Sequence, residues 1–365
     1  MWFVPDLRFP EFTGEWQCKA IGKVAPLQRG FDLPTQNLVE GIYPVIYSNG
    51  ILQHHDKYKC EAPGLITGRS GTIGKFTYID SGFYWPHNTS LWVTDFCGNC
   101  PKFIYYLYQT VHIEQFSTGS GVPTLNRNDV HRYKTFVPTA IVEQEKIAKF
   151  LSILDERIAT QNKIIEDLKK LKSAIIEKLY SEIQGKEYSF GQLFEVVNER
   201  NKQMEYSNIL SASQEKGMVN RDDLNLDIQF ERSNINTYKI VMAGDYVIHL
   251  RSFQGGFAFA DKLGVCSPAY TILRPNSLLE YGYLSYYFTS NRFIKSLIIV
   301  TYGIRDGRSI NVEEWLNMKI AIPSKGQQFH ILKVLKSIDD KIENEEIYAT
   351  CLSNQKQYLL RQMFI

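Results

Sequence analysis

The 365 residues are 44% hydrophobic and 22% charged, with a formal net charge of +2. That is the make-up of a soluble globular protein long enough for two or three domains, each with its own core. The near-neutral balance excludes a protein held to nucleic acid by bulk charge, but it allows a sequence-specific reader with local basic loops.

No run of 18 apolar residues occurs, so no membrane helix is expected. The start, Met1-Trp2-Phe3-Val4-Pro5, lacks the basic-then-apolar order of a secretory signal. Six irregularly spaced cysteines fit a reducing, cytoplasmic setting.

Residues 1–139 predict a globular head. Short runs of Tyr, Phe, Ile and Val broken by Gly, Asn and Pro read as strands. The run Gly64-Leu65-Ile66-Thr67-Gly68 reads as a buried strand that turns into a polar loop carrying Arg69, Ser70 and Lys75. Phe83-Tyr84-Trp85 reads as β core in preference to a platform for an extruded base. Cys97 and Cys100 form a lone CxxC. With Cys60 and one of His54, His55 or His87 it has the makings of a zinc site, but a single pair is a weak signal, and no metal is expected. A helical stretch is predicted near 101–116, then a glycine turn at Gly119–Asn126. An extended run, Lys134-Thr135-Phe136-Val137-Pro138, stops at its proline, where a helix is about to begin.

That helix occupies 140–185. Steps alternating four and three residues land on Ile147, Leu151, Leu154, Ile158, Ile165, Leu168, Ile175 and Leu179. A second head follows over 186–322, with its helical stretch near 278–296. A second long helix covers 323–365, where the same steps land on Ile331, Leu335, Ile338, Ile342, Leu352, Leu359 and Met363. A 3.5-residue period sustained this long indicates coiled coil. Each helix is about 60 Å long at about 1.5 Å per residue, so it must outreach its own head and needs a partner.

The chain therefore reads as two copies of one unit. The helices align without a gap at an offset of 184 residues. Both seams are broken by polar residues at the same two steps, Gln161/Glu345 and Lys172/Lys356, and such breaks fix register at some cost in stability. The heads repeat more loosely. Tyr246-Val247-Ile248 leads into Arg251, Ser252 and Gln254, answering the Arg69–Ser70 loop. Lys319-Ile320-Ala321-Ile322-Pro323 answers Lys134–Pro138. Gly303–Asn311, with Arg305 and Arg308, answers the first glycine turn. The fold class expected is α+β: two tandem heads with mostly β cores, separated by two long helices that pair as an antiparallel coiled coil. Antiparallel pairing would place the heads at opposite ends of a rod, as a dimeric DNA reader places its two half-site modules.

This organisation resembles the specificity subunit of type I restriction–modification systems. The resemblance is carried by the helix openings Val142–Ile158 and Leu335–Ile342, and by the opening Val4-Pro5-Asp6-Leu7-Arg8-Phe9-Pro10-Glu11-Phe12. It covers essentially the whole chain. The second helix departs at Lys325-Gly326, where the first has an acidic run-in. The resemblance implies a non-catalytic subunit whose heads each read one half of a bipartite double-stranded DNA target. It implies helices that set the spacer and dock two modification (methyltransferase) subunits. It places S-adenosylmethionine on those subunits, and ATP and Mg²⁺ on restriction/translocase subunits, with no cofactor in this chain.

The residues themselves support the absence of catalysis. There is no glycine-rich cofactor loop, no Asn/Asp-Pro-Pro-aromatic motif and no Walker phosphate loop. Asp167-Leu168-Lys169 and Asp339-Asp340-Lys341 fall in the helices, as solvated charge. Candidate DNA contacts are Arg69, Ser70, Lys75, Arg251, Ser252, Gln254, Arg305 and Arg308. Arg and Gln can pair bidentately with guanine and adenine edges, although many such residues only grip phosphate. A coiled-coil scaffold that binds no nucleic acid, or an unrecognised nuclease or methyltransferase, stays open as an alternative.

Overall fold

The computed structural model describes residues 4–119, 123–213, 216–223, 232–249, 256–302 and 309–365. The chain forms two compact units, Met1–Asn162 with Ile347–Ile365, and Lys163–Glu346. Each unit thus holds a head, part of the helix that follows it, and part of the other long helix. The long helices are Ile141–Ser181 and Lys325–Met363.

The first unit is built on a four-stranded antiparallel sheet in the order Leu27–Arg29, Ser90–Val93, Gly64–Gly68, Phe76–Ile79. In the second unit the order is Phe194–Val197, Thr271–Pro275, Tyr246–Ile248, Phe257–Phe259, again antiparallel throughout. Numbered along the chain, both sheets run first, fourth, second, third. The strands Gly64–Gly68 and Tyr246–Ile248 are buried along their whole length. Burial on both faces explains why they read as continuous apolar runs without alternation.

A two-strand ladder leads into each long helix. Trp16–Ala20 pairs with Lys134–Pro138, and Lys186–Ser189 with Lys319–Ile322. Just upstream, Asn126 and Asn311 each cap a short helix through the side-chain oxygen. The heads differ outside this frame. The first adds a sheet of Gly50–His55, Tyr43–Tyr47, Phe83–Pro86 and Cys60–Glu61, in that order. The second has separate pairs, Leu210–Ser213 with Gly217–Asn220 and Lys239–Val241 with Gly264–Cys266.

The helical stretch expected near 101–116 is an α-helix, Pro101–Thr110, followed by a 3₁₀ turn, Ile113–Phe116. The one expected at 278–296 starts later and is broken into Tyr283–Tyr287 and Asn291–Ser296. Two local causes are visible. Gly282 enters at φ +77°, and the Ser290 side chain accepts from the Phe293 N–H, so the second piece starts with its own cap.

The core of the first unit joins Trp16, Phe103, Tyr106 and Tyr108 to Ile147, Leu151 and Leu154 of one helix and to Leu359, Leu360 and Met363 of the other, with Phe364 just past its end. That of the second is an aromatic cluster, with Phe190 stacked on Trp315 at 4.3 Å and 10° and Phe257, Phe288 and Phe293 around them. Ile176 and Tyr180 reach it from the first long helix, and Ile331 and Leu335 from the second. Along the heptad seams, Ile147, Leu151, Leu154, Ile165, Ile331, Leu335, Ile342, Leu352, Leu359 and Met363 are buried. Ile158, Leu168, Ile175, Leu179 and Ile338 are half-buried.

Candidate nucleic-acid interface and helix clamps

The loop after Gly64–Gly68 is shaped by backbone crowding. A side chain at Gly68 would place its first carbon 1.7 Å from the Thr72 carbonyl oxygen, and Gly71 turns the chain at φ +77°. The Arg69 N–H donates to Thr89 O at 2.9 Å, and the Arg69 carbonyl accepts from Leu125 N at 2.8 Å. Ser70 bridges Thr124, and Gly71 N donates to Pro123 O at 3.1 Å. The backbone under Arg69 and Ser70 is therefore held from two sides, and both side chains are half-buried while Lys75 is exposed. Among the described residues neither Arg69 nor Lys75 belongs to an ion pair.

In the second head the strand Tyr246–Ile248 holds the same place in its sheet. It continues to His249, whose N–H donates to Gly256 O at 2.6 Å and whose ring meets Tyr270 edge-on at 5.1 Å. Arg251, Ser252 and Gln254 follow this strand and lie outside the described residues, as do Arg305 and Arg308.

The CxxC is a turn that feeds the helix Pro101–Thr110. The Asn99 amide donates to Phe96 O at 2.9 Å and Val24 O at 3.2 Å. Cys97 is exposed and Cys60 buried. Among the described residues no group of three or more His, Cys, Asp or Glu could hold a metal. The aromatic run is core: Tyr84 and Trp85 are buried.

Sequence reasoning missed how the long helices grip the heads. Gln144 accepts from Cys100 N at 2.8 Å and donates to Pro138 O at 3.0 Å. Gln328, in the matching place, accepts from Glu280 N at 2.8 Å and donates to Pro323 O at 3.1 Å. Both are buried. The signal was present, since each glutamine follows its strand-ending proline by five or six residues.

The Lys172/Lys356 break is also resolved. In the first unit Lys356 pairs with Asp155 Oδ1 at 2.6 Å, and Tyr106 Oη donates to Asp155 Oδ2 at 2.7 Å. In the second, Lys172 pairs with Asp339 Oδ1, and Tyr286 Oη donates to Asp339 Oδ2 at 2.7 Å. Burial first, then the bound carboxylate, drives both phenol pKa values upward, so each tyrosine stays a donor. Within each unit the two helix segments run antiparallel. Lys172 meets Asp339 while Lys169 meets Glu346 at 2.6 Å.

One anchor has no counterpart among the described residues. Glu143 receives Arg8 Nε at 2.7 Å, Arg8 Nη2 at 2.8 Å and Trp16 Nε1 at 3.1 Å. The segment before the first strand is tied further by Leu7 N donating to Gln362 O at 2.9 Å. In the second copy Gln327 stands at the Glu143 position and makes only a local cap with Ser324.

Comparison with known proteins places this architecture. The family described as the type I restriction modification DNA specificity domain matches residues 13–170 and again 184–350. The MjaVIII type I restriction enzyme specificity subunit of Methanocaldococcus jannaschii is 27% identical over 281 residues, covering 66% of this chain and 64% of that protein. The EcoprrI specificity subunit of Escherichia coli is 23% identical over 173 residues, covering 46% of this chain and 42% of that one. The match thus spans less than two thirds of either relative. The crystal structure of a type I system S subunit from M. genitalium superposes with TM-score 0.59 at 16% identity, over 100% of this chain and 99% of that one. A chain from a study of assembly and conformational transition in the type I system gives 0.60 at 14%, over 96% and 98%. At those identities the likeness is one of fold.

Proposed function

The chain belongs to the type I restriction modification DNA specificity domain family, and from that membership we propose that it is the target-reading subunit of a type I restriction–modification complex. The heads, 1–139 and 186–322, each read one half of a bipartite site in double-stranded DNA. The spacers, 140–185 and 323–365, set the unread interval and dock two modification subunits. Those partners bring S-adenosylmethionine for adenine methylation, and restriction subunits add ATP-driven translocation with Mg²⁺. This chain acts in the cytoplasm, without chemistry of its own. Among the described residues no helix is long and apolar enough to cross a membrane.

The observation that carries the proposal is the repeated strand order beneath two divergent surfaces. An enzyme needs one constellation of reacting groups, whereas a bipartite reader needs two variant copies of a binding head. Arg69, Ser70 and Lys75 are the proposed contacts of the first head. Arg251, Ser252, Gln254, Arg305 and Arg308 are those of the second.

Exchange of residues 1–139 for the corresponding head of another family member is the test, read by mapping methylated sites in cells carrying the whole system. One half of the recognised sequence should change and the other persist. Change in both halves, or in neither, refutes modular reading.

A further inference from the structure

Each Tyr–Asp–Lys group draws one residue from a head helix, one from the long helix that follows that head, and one from the other long helix. In both groups the carboxylate divides its oxygens alike, Oδ2 to the phenol and Oδ1 to the lysine. In both the ammonium lies over the same tyrosine ring, 5.6 Å from Tyr106 for Lys356 and 5.1 Å from Tyr286 for Lys172. The lysines stand on heptad steps where an apolar residue would be ordinary, and their side chains are only 13% and 26% exposed.

A lysine desolvated on an apolar seam is unfavourable unless it meets an acceptor, so it discriminates between registers that a leucine would leave nearly equal. The alternatives follow from the sequence. A slide of one heptad within the first unit would set Lys356 against Ala148 or Asn162. Within the second it would set Lys172 against Leu332 or Glu346. Only the observed register gives both lysines a carboxylate that a head tyrosine, Tyr106 buried and Tyr286 half-buried, also holds.

We propose that Tyr106–Asp155–Lys356 and Tyr286–Asp339–Lys172 are register locks, positioning residues that fix which turn of one long helix lies against which turn of the other and thereby the number of base pairs left unread between the half-sites. The inference rests on the proposed function. A heptad slide moves a helix by about 10.5 Å, equivalent to about three base pairs of B-form DNA. The locks are therefore determinants of spacer length, distinct from the residues that read bases.

The test compares the wild-type chain, a Lys172→Met, Lys356→Met variant, and a charge-exchanged variant (Asp155→Lys, Lys356→Asp, Asp339→Lys, Lys172→Asp), each in the complete system. Thermal melting of the purified chain and genome-wide methylated-site mapping are the readouts. The methionine variant should stay folded, because Asp155 and Asp339 are 32% and 37% exposed and keep water and their phenol donors once the ammonium is gone. Sites with spacers about three base pairs longer or shorter should rise to within about tenfold of the native level, with both half-words unaltered. The charge-exchanged variant should return to the native spacer alone. A folded methionine variant that methylates only native-spacer sites at the wild-type level overturns the proposal. So does a charge-exchanged variant that behaves no better than the methionine one, or failure of both variants to fold, which would assign these residues to stability. If the wild-type chain itself directs no methylation at a two-part site, the proposed function falls instead.

Discussion

Replacing Glu143 with glutamine tests whether the first unit depends on a buried charge that the second does without. Glu143 is 2% exposed and its Arg8 partner 13%. Breaking one side of a buried ion pair costs about 3–5 kcal/mol, because the remaining charge is left unpaired. Two features place this case at the lower end. The guanidinium keeps some access to water, and the glutamine oxygen can still accept from Arg8 or from Trp16 Nε1. The expected loss is about 3 kcal/mol, or about 6–12 °C in the melting of a unit this size. It should be local, since among the described residues Gln327 in the second copy bonds only to Ser324 through its side chain. Hydrogen exchange by mass spectrometry reads this directly. Peptides covering 4–20 and 141–154 should open on the order of 100-fold more often, while those covering 186–200 and 319–335 keep wild-type rates. Unchanged exchange in 4–20, or equal acceleration in both units, would refute the reasoning.

Two further outcomes are expected. Gln328→Leu removes the partner of Glu280 N, Leu278 O and Pro323 O. Leaving those backbone groups unmet should destabilise the second unit by about 2–4 kcal/mol, measured as a shift in urea midpoint, and Gln144→Leu should do the same to the first. His131 accepts from Leu27 N at 2.8 Å through Nε2, and burial, aided by Arg127, lowers its pKa. With the folded value below the unfolded one, protonation favours unfolding. The stability of the first unit should be fully present above about pH 6.5 and fall as pH drops through the folded value. His131→Gln should flatten that dependence in melts between pH 5 and 8; an unchanged slope would remove His131 as the cause.

How far the sequence reaches depends on the range of the interaction. The long helices are written in a 3.5-residue period, a local signal, and the repeat doubles it. Strand order is not local, because Leu27–Arg29 finds its neighbour at Ser90–Val93, more than 60 residues on. Nothing in either run names the other, and only the apolar character of Gly64–Gly68 shows that it lies inside. The seam also widens where the period alone predicts no change. Ile176, Tyr180, Leu360 and Phe364 are buried one position beyond Ile175, Leu179, Leu359 and Met363. There the helix ends meet head aromatics, with Tyr180 against Tyr283 and Tyr287, and Phe364 against Phe103. A helix covered on two sides buries a broader face than a coiled-coil stripe.

The polar breaks show the same limit more sharply. That Lys172 and Lys356 interrupt both seams is plain from the sequence, as is the cost of placing them there. Their partners are not, because Asp339 and Asp155 stand off the seam on the opposite helix and matter only once an antiparallel register is chosen. The choice is circular from sequence alone: the register selects the partners and the partners stabilise the register. What breaks the circle is a third residue from outside the helices. Tyr106 and Tyr286 hold Asp155 and Asp339 by hydrogen bonds within their own copies. Each carboxylate is thus oriented by its own head, and a lysine from the other helix completes the group. The register is in that sense specified by the heads as much as by the helices. This is why an unchanged polar step recurs on rods whose heads have otherwise drifted apart.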